Sequence, residues 1–151
     1  MYTLKINKKG QEFIKLRKYK IKQFIYIFPA LILLSIFSGI VKLGFSSYSI
    51  LPILLTFPIL IIVFKVGVIN PKKFVRNLII KMEFEDGDLF FFTEEESIKS
   101  LNFKLQRNLQ IFESTFEDCY IVNFKSKEYY LIPDFFENFE LVKNQFHCGI
   151  I

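Results

Sequence analysis

Hydrophobic and polar positions alternate in two different rhythms along the chain. From Gln23 to Val41 there are 19 residues without a charge, and after Lys42 a second uncharged run of 22 extends from Leu43 to Phe64. Both runs are apolar nearly all round, whereas a helix in a water-soluble core keeps a polar face. A bilayer core of about 30 Å takes roughly 20 such residues as helix. The pattern therefore predicts two transmembrane helices, about 23–41 and 43–64. A secretory signal fits less well, because its apolar region is about 7–15 residues long and close to the N-terminus. Here 22 residues precede the run and no small-residue cleavage site follows it. Pro29, Pro52 and Pro58 lie inside the runs. Within a bilayer such prolines are tolerated, because neighbouring helices and Ser/Thr side chains satisfy the freed backbone groups.

After about Leu78 the rhythm shortens to two. Ile80, Met82 and Phe84 alternate with Lys81, Glu83 and Glu85, Asp86-Gly87 is a strong hairpin turn, and Leu89 to Phe92 is the returning strand. Thr93 to Glu96 has the spacing of a helix capping box, but a turn suits "EEES" better. "SIKSLNFKL", "NLQIFEST", "CYIVNF" and "EYYLIP" read as further strands, with "KSK" as a hairpin loop between the last two. In "DFFENFELVKNQF" the period changes again: Phe135, Phe139, Val142 and Phe146 form one helical stripe, with Asp134 as its N-cap. The expected fold class is thus an α+β membrane protein. A two-helix transmembrane hairpin precedes a small antiparallel β-domain of five or six strands with a C-terminal amphipathic helix.

Charge sharpens this division. Residues 1–81 carry 14 Lys/Arg and one acid, Glu12, whereas residues 82–151 carry 6 Lys/Arg and 14 acids. So steep an asymmetry points to a membrane or a nucleic acid. The apolar runs lie inside the basic half, and lipid headgroups account for its cations, so no nucleic-acid partner is expected. Eight cations precede the first run, from Lys5 to Lys22; Lys65, Lys72, Lys73, Arg76 and Lys81 follow the second; Lys42 alone separates the two. Because cytoplasmic flanks collect Lys and Arg, both termini are expected in the cytoplasm of a cytoplasmic-membrane protein. The chain then divides into a basic juxtamembrane segment (1–22), the membrane helices (23–65), a basic connector (66–81) and a cytoplasmic β-domain (82–151). Lys15, Arg17, Lys18, Lys20, Lys22, Lys72, Lys73 and Arg76 are the expected contacts for anionic lipid. The acidic domain is expected to be repelled from the same surface. Within it, Lys104 and Arg107 are close enough in sequence to suggest a local partner-binding pocket. The small residues Ser35, Ser38, Gly39 and Gly44 allow close helix approach and hence self-association.

Candidate chemistry is sparse. Cys119 and Cys148 form no CxxC, and they read as free thiols in a reducing compartment. His147 beside Cys148 lacks the further ligands that a metal site needs. There is no GxSxG elbow and no Gly-rich phosphate loop. The carboxylate runs Glu94-Glu95-Glu96 and Glu117-Asp118 fall at predicted turns, as solvated charge. No catalytic residue, metal or cofactor is expected.

Two segments carry a family resemblance: "YYLIPDFFENFELVKNQF", an aromatic strand leading through Ile132-Pro133 into a Phe-rich helix, and "LKINKKGQEFIKLRKYKIK", a short extended piece leading into a basic helix. With the two apolar runs between them, nearly the whole chain resembles the YcxB-like family of small bacterial membrane proteins. More loosely it resembles pleckstrin-homology-like domains carried on membrane hairpins. The resemblance implies a fold and a topology rather than a reaction. The function expected is a membrane-anchored cytoplasmic module that binds the bilayer and docks a protein partner. The alternative is an inner-membrane immunity protein that protects against a cognate toxin.

Overall fold

A computed structural model describes residues 2–43, 50–85, 88–99, 103–111 and 114–140. They form two compact units, residues 1–16 with 73–151, and residues 17–72. The chain is an α+β fold with one long apolar helix near its N-terminus and two antiparallel sheets.

The first unit holds all seven strands among the described residues. One sheet has the order β1 (Tyr2–Lys5), β2 (Lys81–Glu85), β3 (Asp88–Phe92), β4 (Ser97–Lys99). The alternation read from the sequence is what closes it. Leu4 pairs with Met82, Met82 with Phe91 and Phe91 with Ile98, so one buried row crosses all four strands. Each such side chain contributes about 1.5–3 kcal/mol by leaving water. β2 and β3 pair from Lys81↔Phe92 to Glu85↔Asp88, the register that the predicted hairpin requires. Its Asp86-Gly87 turn lies outside the described residues. "EEES" is a turn rather than a helix start: the Thr93 hydroxyl accepts the N–H groups of Glu95 and Glu96, and the Thr93 N–H donates to the Glu96 carbonyl.

The second sheet is β5 (Phe103–Ile111), β6 (Ser114–Phe124) and β7 (Lys127–Leu131). Its buried row includes Tyr120 opposite Leu131 and Val122 opposite Tyr129. The β6–β7 loop is Lys125-Ser126, both at positive φ (47° and 63°). The stretch "SIKSLNFKL" is not one strand. Its ends belong to β4 and β5, in different sheets.

Leu78–Ile80 joins the two sheets by backbone bonds and by the buried side chains of Leu78 and Ile79. Ile79 N–H donates to the Tyr130 carbonyl, Tyr130 N–H to the Asn77 carbonyl, and Ile80 N–H to the Phe92 carbonyl. The buried Asn77 amide adds a bond to the Glu128 carbonyl at 2.8 Å. A single core results, and the first turns of helix α1 (Lys8–Leu43) take part in it. Phe13 lies 5.6 Å from Phe116 and 5.2 Å from Phe135, centroid to centroid.

Two expectations are corrected here. The β-unit does not begin at Met82: β1 is an edge strand of its first sheet, because pairing with β2 satisfies the backbone of "YTLK" and buries Leu4. The amphipathic helix does not start at Asp134. Pro133–Phe135 is a single 3-10 turn, Phe136 is extended and forms a bridge with Ile6, and Asn138 has a positive φ of 60°. Asp134 is no N-cap; its carbonyl accepts the Asn7 amide and its carboxylate meets Lys9 at 3.2 Å. Phe135, Phe136 and Phe139 are all buried in that irregular path. Val142 and Phe146 lie outside the described residues. The basic connector 66–81 is largely helical.

The second unit comprises α1 from Arg17 onward, α2 (Ile50–Phe64), a π-helical turn (Lys65–Ile69) and the start of α3 (Asn70–Arg76). The three helical segments after Ile50 are continuous in sequence, so helix extends beyond the predicted end of the second span at Phe64. Residues 44–49 lie outside the described residues, and with them the start of the second apolar run and Gly44. Pro29 and Pro58 both sit inside helix.

Candidate functional site

The second unit presents an apolar exterior. Along α1, Tyr26 is 70% exposed, Leu33 66% and Phe37 67%, and on α2 Phe57 is 60% exposed. α1 is long and apolar enough to cross a membrane, and only 6% of its most apolar window is buried. An ordinary soluble protein rarely shows so large a contiguous apolar surface. The unit also carries seven Lys/Arg and no Asp or Glu.

α1 and α2 meet through aromatic side chains. The Phe28 and Phe64 rings are 4.9 Å apart, and Phe24 stacks on Phe28 at 6.4 Å. At the π-helical turn the Phe24 ring occupies the place where a side chain on Gly67 would begin, 2.7 Å from an added Cβ. Only glycine allows this approach. The wide turn is closed by the Asn70 N–H donating to the Lys65 carbonyl. Between the helices lies an apolar groove of about 330 Å³. Phe28, Ile32, Ser35 and Ile36 line its α1 side, and Phe57, Leu60, Ile61 and Phe64 its α2 side. Lys65 and Ile69 of the π-helical turn complete it, and Lys65 is the one charged lining residue. Ser35 spends its hydroxyl on the Leu31 carbonyl at 2.9 Å.

The cations expected to touch lipid do not all remain at the surface. Lys15, Lys18, Lys20, Lys22, Lys72 and Lys73 are exposed, but Arg17 is only 8% exposed. Arg76 lies 3.7 Å from Glu95 in an ion pair. The charge division also moves. With residues 1–16 and 73–81 included, the first unit has 13 Lys/Arg against 15 Asp/Glu, a net −2 rather than the −8 of residues 82–151. The expected repulsion from anionic lipid loses most of its force.

Lys104 and Arg107 do not form a pocket. They are three apart on β5, whose register with β6 is regular, so they face opposite sides of the sheet. Arg107 pairs loosely with Asp118 at 3.9 Å. The residues that do converge in the first unit are not read as a group from the sequence, where Glu96 counts only as solvated charge. Glu96 accepts the Tyr129 hydroxyl at 2.7 Å and the Lys127 ammonium at 3.0 Å. The Tyr129 bond, then Lys127, holds the Glu96 carboxyl below the usual glutamate range. Burial first, and then Glu96, pushes the Tyr129 phenol up to about 12. The Thr93–Glu96 spacing was legible, but a partner 33 residues away was not. Cys119 is fully buried, and desolvation pushes its thiol up to about 12. A thiol so placed is a core side chain rather than a nucleophile. Among the described residues no cluster of three His, Cys, Asp or Glu could hold a metal; His147 and Cys148 lie outside them. No family model, no curated protein and no solved structure matches the chain.

Proposed function

We propose that the protein is a membrane-anchored binding or regulatory module that docks a protein partner and performs no catalysis. Its two apolar runs cross the bilayer as a hairpin and both termini stay in the cytoplasm. The observation that carries this reading is the exposure of α1: its apolar stretch is long enough to span and is turned almost wholly outward. In water that surface would have to be covered, whereas in lipid it is already solvated. The distribution of charge supports the orientation. Arg17, Lys18, Lys20 and Lys22 precede the first run, and Lys65 and Lys72 follow the second. Lys42 alone lies between the runs. The exposed lysines among them are suited to anionic headgroups, each worth about 1 kcal/mol near the surface.

The β-unit suits binding because its distinctive polar residues are occupied in holding it together: Asn77, Glu96 and Tyr129 each bridge separate elements. Reporter fusions test the topology. Fusions at Ile151 and before Lys5 should read cytoplasmic and one at Ser47 external. An external C-terminus overturns the orientation, and release of the protein by an alkaline membrane wash overturns the anchor. Photo-cross-linkers at exposed β-unit positions such as Lys104 and Glu117 should capture a protein; capture of lipid alone would overturn the docking role.

A further inference from the structure

We infer that the groove between α1 and α2 holds one anionic phospholipid, with an acyl chain along Ile32, Ile36 and Ile61 and its phosphate on Lys65. The inference rests on the membrane reading above and names a ligand for a surface that reading leaves as plain lipid contact.

The groove has a shape and composition that a membrane helix pair does not need for its own packing. Its walls are aromatic and aliphatic, and the one polar wall residue other than Lys65, Ser35, already donates to its own helix. Water in it would find few hydrogen-bond partners, whereas a hydrocarbon chain fills it without loss. Its rim is open, since Phe57 and Ile61 are both more than half exposed, so a chain can enter laterally from the surrounding lipid.

Charge complementarity selects the headgroup. Lys65 is the first charged residue after Lys42, and it stands where the apolar run gives way to the basic segment. The unit contains no carboxylate to neutralise it. The π-helical turn contributes geometrically. Gly67 lets Phe24 close the helices together on one side of Phe28. Beyond the Phe28–Phe64 contact, Ile32 and Ile36 of α1 line the groove with Phe57 and Ile61 of α2. Inserted turns of this kind recur at functional sites. A zwitterionic lipid would place its own cation near the same ammonium and gain less.

The test uses the full chain purified in mild detergent, with native mass spectrometry against phosphatidylglycerol and phosphatidylcholine of identical acyl chains. One phosphatidylglycerol per chain should be retained in preference to phosphatidylcholine. Lys65→Gln should reduce that preference roughly fivefold, the contribution of one lysine at an anionic surface. Lys72→Gln, which removes an equal charge outside the groove, should leave it unchanged. Equal losses in the two variants would show that diffuse charge holds the lipid, and would overturn the site. So would equal retention of the two lipids, or a lipid-free dimer in which a second copy covers the groove. None of these outcomes bears on whether the chain is membrane-embedded, which the alkaline wash decides separately.

Discussion

The Tyr129 hydroxyl donates to the Glu96 carboxylate at 2.7 Å and so ties β7 of one sheet to the loop that leads into β4 of the other. The two groups shift each other in opposite directions. Glu96 is held below its usual range, so its contribution to stability is present above the ordinary glutamate value of about 4.3 and is lost as pH falls through the depressed value. Tyr129 is pushed up to about 12, so its contribution is present below the ordinary tyrosine value of about 10 and is lost as pH rises towards 12. The melting temperature of the β-unit should therefore be flat across the neutral range and fall at both ends. Tyr129→Phe should lower the plateau and weaken the acid limb. It should only soften the alkaline limb, because Tyr130 is also pushed up to about 12. Tyr129→Phe and Glu96→Gln combined should cost less than the sum of the two. Strict additivity would mean that the bond is not formed.

Gly10 faces a buried ring. A Cβ at this position would stand 2.9 Å from Phe135 Cβ and 3.0 Å from Phe135 Cγ. Alanine favours helix by about 1 kcal/mol over glycine, but the ring cannot yield easily, since Phe13 and Phe116 close around it at 5.2 and 5.6 Å. Crowding of a packed core costs about 1–3 kcal/mol and should win. Gly10→Ala should lower the urea midpoint of the β-unit, and Gly10→Val should lower it further. A rise in the midpoint with Gly10→Ala would mean that propensity, not packing, decides the site.

The β6–β7 hairpin carries avoidable strain. Lys125 and Ser126 occupy the left-handed region at φ 47° and 63°, where the Cβ of a residue other than glycine costs roughly 1–2 kcal/mol. A two-residue loop of this type prefers Asn-Gly. Lys125→Asn with Ser126→Gly should raise stability by about 1 kcal/mol, since both side chains are exposed and little packing is lost. An unchanged or lower thermal midpoint would contradict the loop geometry.

These three sites show what the sequence could disclose. The β2–β3 and β6–β7 hairpins were legible because their pairing is local and their alternation regular. The apolar helices were legible because composition alone marks them. The break in "SIKSLNFKL" was not, since both halves alternate and nothing in periodicity says that the chain changes sheets between them. The absence of a helix start at Asp134 was illegible for a related reason. Phe135 and Phe139 do share a core, but Phe136 is buried as well, and an extended residue that pairs with Ile6 has no period. The Lys104–Arg107 pocket failed because proximity in sequence is not proximity on a strand: three residues apart is the opposite face. The Tyr129–Glu96 pair and the Phe24–Gly67 contact join positions more than 30 residues apart, and no local pattern announces them.

The largest of these long-range joins is β1, and it makes a final prediction. Residues 2–5 form the edge of the first sheet, from Tyr2↔Phe84 to Lys5↔Lys81, with Leu4 buried against the row that Met82 begins. Ile6 and Asn7 continue the join, donating to the Ile80 and Phe135 carbonyls at 3.0 and 2.7 Å. Phe13 and Ile14 add two more side chains to the same core. A fragment that starts at Met82 therefore lacks one strand of four and the first turns of α1. It also lacks Asn77 to Lys81, which bond the two sheets together. A fragment of residues 73–151 restores the linker but not the strand. In the full chain, Leu4→Ala should cost about 2–4 kcal/mol, the usual cost of emptying a buried leucine site. Residues 73–151 alone should show poor amide protection in β2, because its outer edge would be open and Met82 wetted. Adding a peptide of residues 1–16 should restore that protection in a saturable manner, and a Leu4→Asp peptide should not. Full protection of β2 without the peptide would show that the N-terminal strand merely decorates a domain that is complete from residue 73 onward.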